Sequence, residues 1–321
     1  RNNHLTGILN GIDIKEYNPA ADEKIAAKYS ADDLSGKAAC KRALQEELGL
    51  AVRPEVPIVA MITRLSNQKG LDLVDYVIAD IMHEDLQFVC LGLGEARYVN
   101  LFSWAEQNYP GRVAARFAMD SALAHRIYAG ADIFLMPSGF EPCGLSQMLA
   151  MRYGTVPVVR ETGGLKDTVL SYNEFTGDGN GFSFLNYNAH DMLHVLQRAL
   201  HFFWNKKDVW LELQRRGMTA DFSWEGSAQH YVDLYKKVSS PEAPYTQPET
   251  APAPKPVPKA KDARAVPGKT PAAKTAPAAK PVARVRAKKP AEPKAAAPAA
   301  EKPAKKTTPR TTRAKKEPTS E

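Results

Sequence analysis

Arg64 and Lys69 stand five residues apart in Thr63-Arg64-Leu65-Ser66-Asn67-Gln68-Lys69-Gly70. Arginine offers a planar fork and lysine a mobile point charge, a combination that suits a diphosphate. The alternative is a pair of solvated surface cations. Glu141 lies in a second polar stretch, Ser138-Gly139-Phe140-Glu141-Pro142-Cys143-Gly144-Leu145-Ser146-Gln147. Amides at a helix start lack intrahelical partners and favour an anion. Read this way, the turn holds a phosphate beside a carboxylate. Read structurally, it is a helix start whose acidic residue answers the dipole. Gly163-Gly164 gives a second anion-friendly turn. Tyr128 either stacks on a base or faces the core. Asn10, before Gly11, either aims its amide at a ligand or is a left-handed turn residue. If a diphosphate leaves a sugar, its negative charge grows as the bond breaks. Fixed cations then favour the transition state over the ground state. That chemistry needs no metal, no magnesium-type carboxylate cluster is apparent, and no cofactor is expected.

These residues need elements to hold them. From Pro57 the chain alternates apolar runs with helical spacing. The runs are Ile58–Thr63, Gln87–Gly92, Val113–Phe117, Asp132–Met136 and Thr155–Arg160, with a short sixth at Asn180–Phe184. Near-continuous apolar strands separated by helices predict an α/β fold, a Rossmann-like doubly wound parallel sheet covered on both faces. Arg64–Gly70, Gly92–Gly94, Ser138–Gln147 and Glu161–Leu165 then follow strand C-terminal ends, and such loops share one sheet edge. Gly92-Leu93-Gly94 lacks the third glycine of a dinucleotide fingerprint and reads as a close-packing turn. Residues 20–51 read as helical, ending at Gly49, and the segment after Gly163-Gly164 as a helix to about Tyr172. Residues 190–204, 207–217 and 223–238 read as three helices. Trp204, Trp210 and Trp224 are expected to pack rather than bind.

Charge divides the chain. Residues 241–321 hold 19 Lys/Arg against 7 Asp/Glu, a balance of +12, so residues 1–240 carry −5 of the whole chain's +7. Two regions are therefore expected: a folded domain over 1–238 and a disordered Pro/Ala/Lys-rich basic tail over 239–321. The tail either holds a polyanion by screened electrostatics or only solubilises. Cys40, Cys90 and Cys143 show no paired or metal-type spacing, and Cys90 falls inside a strand. No apolar stretch approaches membrane-spanning length and no signal peptide is visible, so no membrane partner and a cytoplasmic location are expected.

Thr63-Arg64-Leu65-x-x-Gln68-Lys69-Gly70-Leu71-Asp72, Tyr128-Ala129-Gly130-Ala131-Asp132, Glu141-Pro142-Cys143-Gly144-Leu145-Ser146-Gln147 and Glu161-Thr162-Gly163-Gly164-Leu165-Lys166-Asp167-Thr168 occur in this order. With Leu9-Asn10-Gly11-Ile12-Asp13 they resemble the C-terminal half of bacterial glycogen synthases and plant starch synthases, over about residues 1–238. The resemblance implies one half of a GT-B glycosyltransferase. It also implies transfer of glucose from ADP-glucose to the non-reducing end of an α-1,4-glucan, with retention. By motif match, Arg64 and Lys69 hold the donor diphosphate, and Glu141 contacts the donor glucose. Cys143, Gly144 and Leu145 offer backbone groups, as do Gly163 and Gly164. Tyr128 lies against the adenine and Asn10 near the donor. Many related transferases carry a second Glu eight residues after the first. Here that position is Leu149, a loss that glycogen and starch synthases commonly share and that sets them apart from sucrose synthase. The family's N-terminal domain, with its Lys-x-Gly-Gly loop and most of the acceptor surface, has no counterpart in the sequence. Retention by a covalent intermediate or by front-face attack is open from the residues, and the resemblance favours the second. The competing readings are another retaining nucleotide-sugar glucosyltransferase, and a noncatalytic protein that holds polyanions through its tail.

Overall fold

The structure is a computed structural model that describes residues 5–239. The expected tail beyond 239 lies outside the described residues. Six strands form one parallel sheet in the order β3-β2-β1-β4-β5-β6. They are β1 (Ile58–Ile62), β2 (Gln87–Leu91), β3 (Val113–Arg116), β4 (Ile133–Met136), β5 (Val156–Arg160) and β6 (Phe182–Phe184). The order reverses between β1 and β4, which pair through Val59↔Ile133 and Ala60↔Phe134. Ligands of open α/β sheets bind beyond the strand C-termini at such a reversal.

Successive strand side chains point to opposite faces, and both faces are apolar. Val59, Met61, Phe88, Cys90, Ile133 and Leu135 enter one core; Ile58, Ala60, Val89, Leu91, Phe134 and Met136 enter the other. The first is covered by α2 (Leu71–His83), α3 (Ala96–Asn108), α7 (Ala189–Asn205) and α8 (Lys207–Thr219). The second is covered by α1 (Ser35–Leu48), α4 (Ser121–Gly130) and α5 (Ser146–Arg152). Cys90 is a buried core residue, as its place in a strand requires, and the three cysteines are free thiols.

The helix expected over residues 20–51 is confined to Ser35–Leu48. Residues 20–34 are turns and bends, because side chains there capture nearby amides. Asn18 Oδ1 accepts from Ala20 N at 3.2 Å, and Asp22 Oδ1 from Lys24 N at 2.8 Å. Such local bonds compete with helix formation. The C-terminal stop is where expected: Gly49 is left-handed (φ 74°) and its N–H caps Gln45 O and Glu46 O. The helix expected to reach Tyr172 stops at Thr168, as α6 (Gly164–Thr168). Beyond it Tyr172 N donates to Gly181 O at 2.8 Å and Leu170 N to the Asn180 side chain at 2.8 Å, so the backbone is already committed. Trp210 is buried and Trp204 packs against the core, whereas Trp224, at the start of α9 (Trp224–Ser239), is half exposed.

Lys37 is a buried cation on α1. Its ammonium donates to Ala129 O (2.9 Å), Tyr153 O (3.0 Å) and Thr155 Oγ1 (2.9 Å), tying α1 to the start of β5. Burial lowers its pKa to about 7. The unfolded chain, with an ordinary lysine, then binds the extra proton more tightly, so stability should rise with pH from about 7 to 10. Urea midpoints across that range should climb less in Lys37→Met than in the wild type; equal slopes would remove Lys37 as the cause.

Candidate donor-binding site

The loop after β1 and the loop after β4 flank the sheet reversal and are stitched together. Gly139 N donates to Gln68 O at 2.9 Å, and Gln68 Nε2 to Phe140 O at 3.4 Å. Gly70 (φ 75°) makes the approach possible, since a Cβ there would collide with the Pro137 carbonyl oxygen. Gly163 (φ 47°) does the same for the third loop, against Glu141 O.

This packing brings Lys69 and Glu141 together across the loops. Lys69 Nζ lies 2.6 Å from Glu141 Oε2, with the two side chains 16% and 11% exposed. The turn after Glu141 leaves three of its amides without partners: those of Cys143, Gly144 and Leu145 donate to no group among the described residues. Its carbonyls are occupied instead, because Gln147 Nε2 donates to Cys143 O (3.2 Å), Gly144 O (2.9 Å) and Thr168 Oγ1 (3.0 Å). A cation, a carboxylate and three unengaged amides can take a phosphate and an adjoining polyol. The Gly164 amide is turned inward, donating to Glu141 O (3.3 Å) and Pro142 O (3.2 Å).

Arg64 is exposed and has no side-chain partner among the described residues. It opens on a cavity of about 720 Å³ between the loops after β1, β2 and β3, lined in part by Tyr17, Thr63, Gly94, Met119 and Tyr128. Tyr128 contributes to the cavity's lining, but it is only 3% exposed. Its ring packs on Phe134 and Tyr153 at centroid distances of 5.6 and 6.2 Å, and burial pushes its hydroxyl pKa up. Met119 is the most exposed of the large apolar side chains lining this cavity, at 91%. Sequence reading missed it, although an apolar residue directly before a helix cap was a usable signal: Asp120 caps α4 by accepting from Leu123 N at 2.8 Å. Tyr17 was also missed; it stacks on the buried His125 at 4.5 Å. Asn10 opens on a different cavity, of about 340 Å³, with Asp167, Thr168, Asn180 and His230.

A family model described as "Glycosyl transferases group 1" matches residues 47–203. Those residues belong to the group 1 glycosyl transferases. The glycogen synthase of Bacillus cereus (strain B4264) is 53% identical over 237 residues, covering 74% of this chain and 50% of that protein. The glycogen synthase of Geobacillus stearothermophilus is 53% identical over 238 residues, covering 74% and 49%. Among solved structures, the catalytic domain of starch synthase IV from Arabidopsis thaliana, bound to ADP and acarbose, superposes with a TM-score of 0.69. It is 39% identical, over 74% of this chain and 49% of that one. The chain thus spans about half the length of the curated relatives it matches. The expected GT-B-like glycosyltransferase architecture is the one found. Among the described residues no helix is long and apolar enough to cross a membrane.

The glycosyl transferase domain braces its two central loops from outside the site. Tyr187 OH donates to Asp72 Oδ1 (2.5 Å) and lies 3.2 Å from Asn67 O. Arg160, whose guanidinium lies over the Tyr187 ring, donates to Gly139 O (2.9 Å) and Ser138 O (3.3 Å). Tyr187→Phe should lower stability by about 1 kcal/mol, the worth of hydrogen bonds of this kind, read as a fall in thermal midpoint. An unchanged midpoint would show the brace to be idle.

Proposed function

We propose that residues 1–238 are the donor-binding domain of a glycogen synthase, with 239–321 as a basic tail. The domain takes glucose from ADP-glucose and passes it to the non-reducing end of an α-1,4-glucan, retaining the anomeric configuration. The observation that carries this is the convergence of Lys69, Glu141 and the free amides of Cys143, Gly144 and Leu145 at the β1/β4 reversal. The likeness to synthases, one of them solved with ADP, supports the donor's identity.

In this reading Lys69 and the unengaged amides hold the diphosphate, and Arg64 reaches it from the neighbouring cavity. The adenine enters that cavity, with Tyr128 as a buried floor and Met119 at the rim. Glu141 receives the glucose hydroxyls. As the sugar–phosphate bond lengthens, Lys69 and Arg64 stabilise the charge on the departing diphosphate. On the front-face route, the leaving phosphate oxygen accepts the acceptor hydroxyl's proton on the face where the new bond forms. Gly163 and Gly164 carry the loop packed against Glu141 at the sugar end, and Asn10 lines the separate cavity beside α6. The acceptor is held mainly by a partner domain that completes the cleft, and the location is cytoplasmic.

The test joins this chain to the upstream half of the Bacillus cereus glycogen synthase. Labelled glucose should pass from ADP-glucose to glycogen in α-1,4 linkage, and Lys69→Ala should suppress it. A folded, ADP-binding chimera that transfers nothing, or transfers from another nucleotide sugar only, would contradict the reading.

A further inference from the structure

We propose that Glu141 competes with the donor's diphosphate for Lys69, and so biases the site toward a nucleotide sugar over the free nucleotide. The inference rests on the donor-site reading above. Among the described residues each of these side chains has the other as its only ionic partner, at 2.6 Å. Neither is free to wander. Both are largely buried, and their backbones are bound to each other's loops through the Gln68 contacts and to α6 through Gly164.

A diphosphate that reaches Lys69 therefore takes it from Glu141. It leaves a carboxylate that is mostly removed from water and now lies near further negative charge. Such a group is unfavourable unless hydrogen-bond donors replace the lost cation. A nucleotide sugar brings them, since its sugar hydroxyls adjoin the diphosphate. A nucleoside diphosphate has no such group beyond its terminal phosphate. Glu141 thus opposes ADP more than ADP-glucose. Once glucose has gone to the acceptor, the Lys69–Glu141 pair can re-form and favour release of the nucleotide. The same carboxylate reads the sugar on the way in and competes with the product on the way out.

Calorimetric titration of ADP and ADP-glucose into the full chain tests this with Glu141→Gln, Lys69→Ala and the double substitution. Glu141→Gln should tighten ADP binding by about tenfold, more than the roughly fivefold scale of an exposed ion pair because this pair is largely buried. It should tighten ADP-glucose less, and its effect on ADP should shrink in the Lys69→Ala background, where only the repulsion between carboxylate and diphosphate is left to relieve. Glu141→Asp, which keeps the charge but shortens its reach, should fall between wild type and Glu141→Gln and serves if the glutamine variant fails to fold. ADP affinity unchanged or weakened in these variants, while Lys69→Ala still loses binding, would overturn the competition alone. A folded wild-type chain that binds no ADP, or binds it equally well in Lys69→Ala, would overturn the donor-site reading and this inference with it.

Discussion

Lys69→Ala is expected to weaken ADP binding by between about ten- and a hundredfold, the range for removing a charged hydrogen bond to a phosphate. The loss should be large because Lys69 cannot be replaced locally. Its loop is held by Gly139 on one side and by Tyr187 on the other, so a neighbouring cation cannot slide into its position. Arg64 is exposed and has room to adjust, so Arg64→Ala should cost less. Raising salt should narrow the difference between wild type and Arg64→Ala more than that between wild type and Lys69→Ala, since exposed charges are screened first. Equal affinities in wild type and Lys69→Ala would remove the phosphate role.

Gly70→Ala is expected to destabilise the fold by about 3 kcal/mol and to disable the site as well. A left-handed residue with a Cβ costs roughly 1–2 kcal/mol by itself. Here the new carbon would also meet the Pro137 carbonyl oxygen, which is main chain and cannot swing aside. Relief requires Pro137 to move, and with it the turn through Glu141. Denaturant melts should show the stability loss, and ADP binding should fall even at temperatures where the variant is folded. A variant with wild-type stability and affinity would mean that the two loops do not need their close approach. By contrast, Gly49→Ala, at a similar φ of 74° but with nothing within 4 Å, should show the backbone cost alone.

Much of this was readable in advance for physical reasons. Strands buried on both faces give unbroken apolar runs, so Ile58–Ile62 and Ile133–Met136 announced themselves, and with them the loops that follow. Lys69 and Glu141 were singled out because their loops follow strand C-terminal ends and match the motifs of glycogen and starch synthases. Their pairing was not, because it depends on two loops 72 residues apart meeting through glycine contacts. Residues 20–34 misled because helix-compatible composition carries no record of Asn18 and Asp22 turning back on their own amides. Tyr128 was open between a base platform and a core residue from its place near the helix end; its ring packs on Phe134 and Tyr153, while the exposed neighbour is Met119. Asn10 was placed near the donor by motif match, and the fold sets it in a separate cavity beside α6.

The most direct test of the account is a crystal structure of this chain with ADP-glucose bound. The diphosphate should lie on Lys69 Nζ and the amides of Cys143, Gly144 and Leu145. The adenine should occupy the cavity rimmed by Met119, with Glu141 released from Lys69 onto the sugar hydroxyls. A nucleotide sugar bound elsewhere, or bound here with the Lys69–Glu141 pair intact and the amides empty, would contradict it.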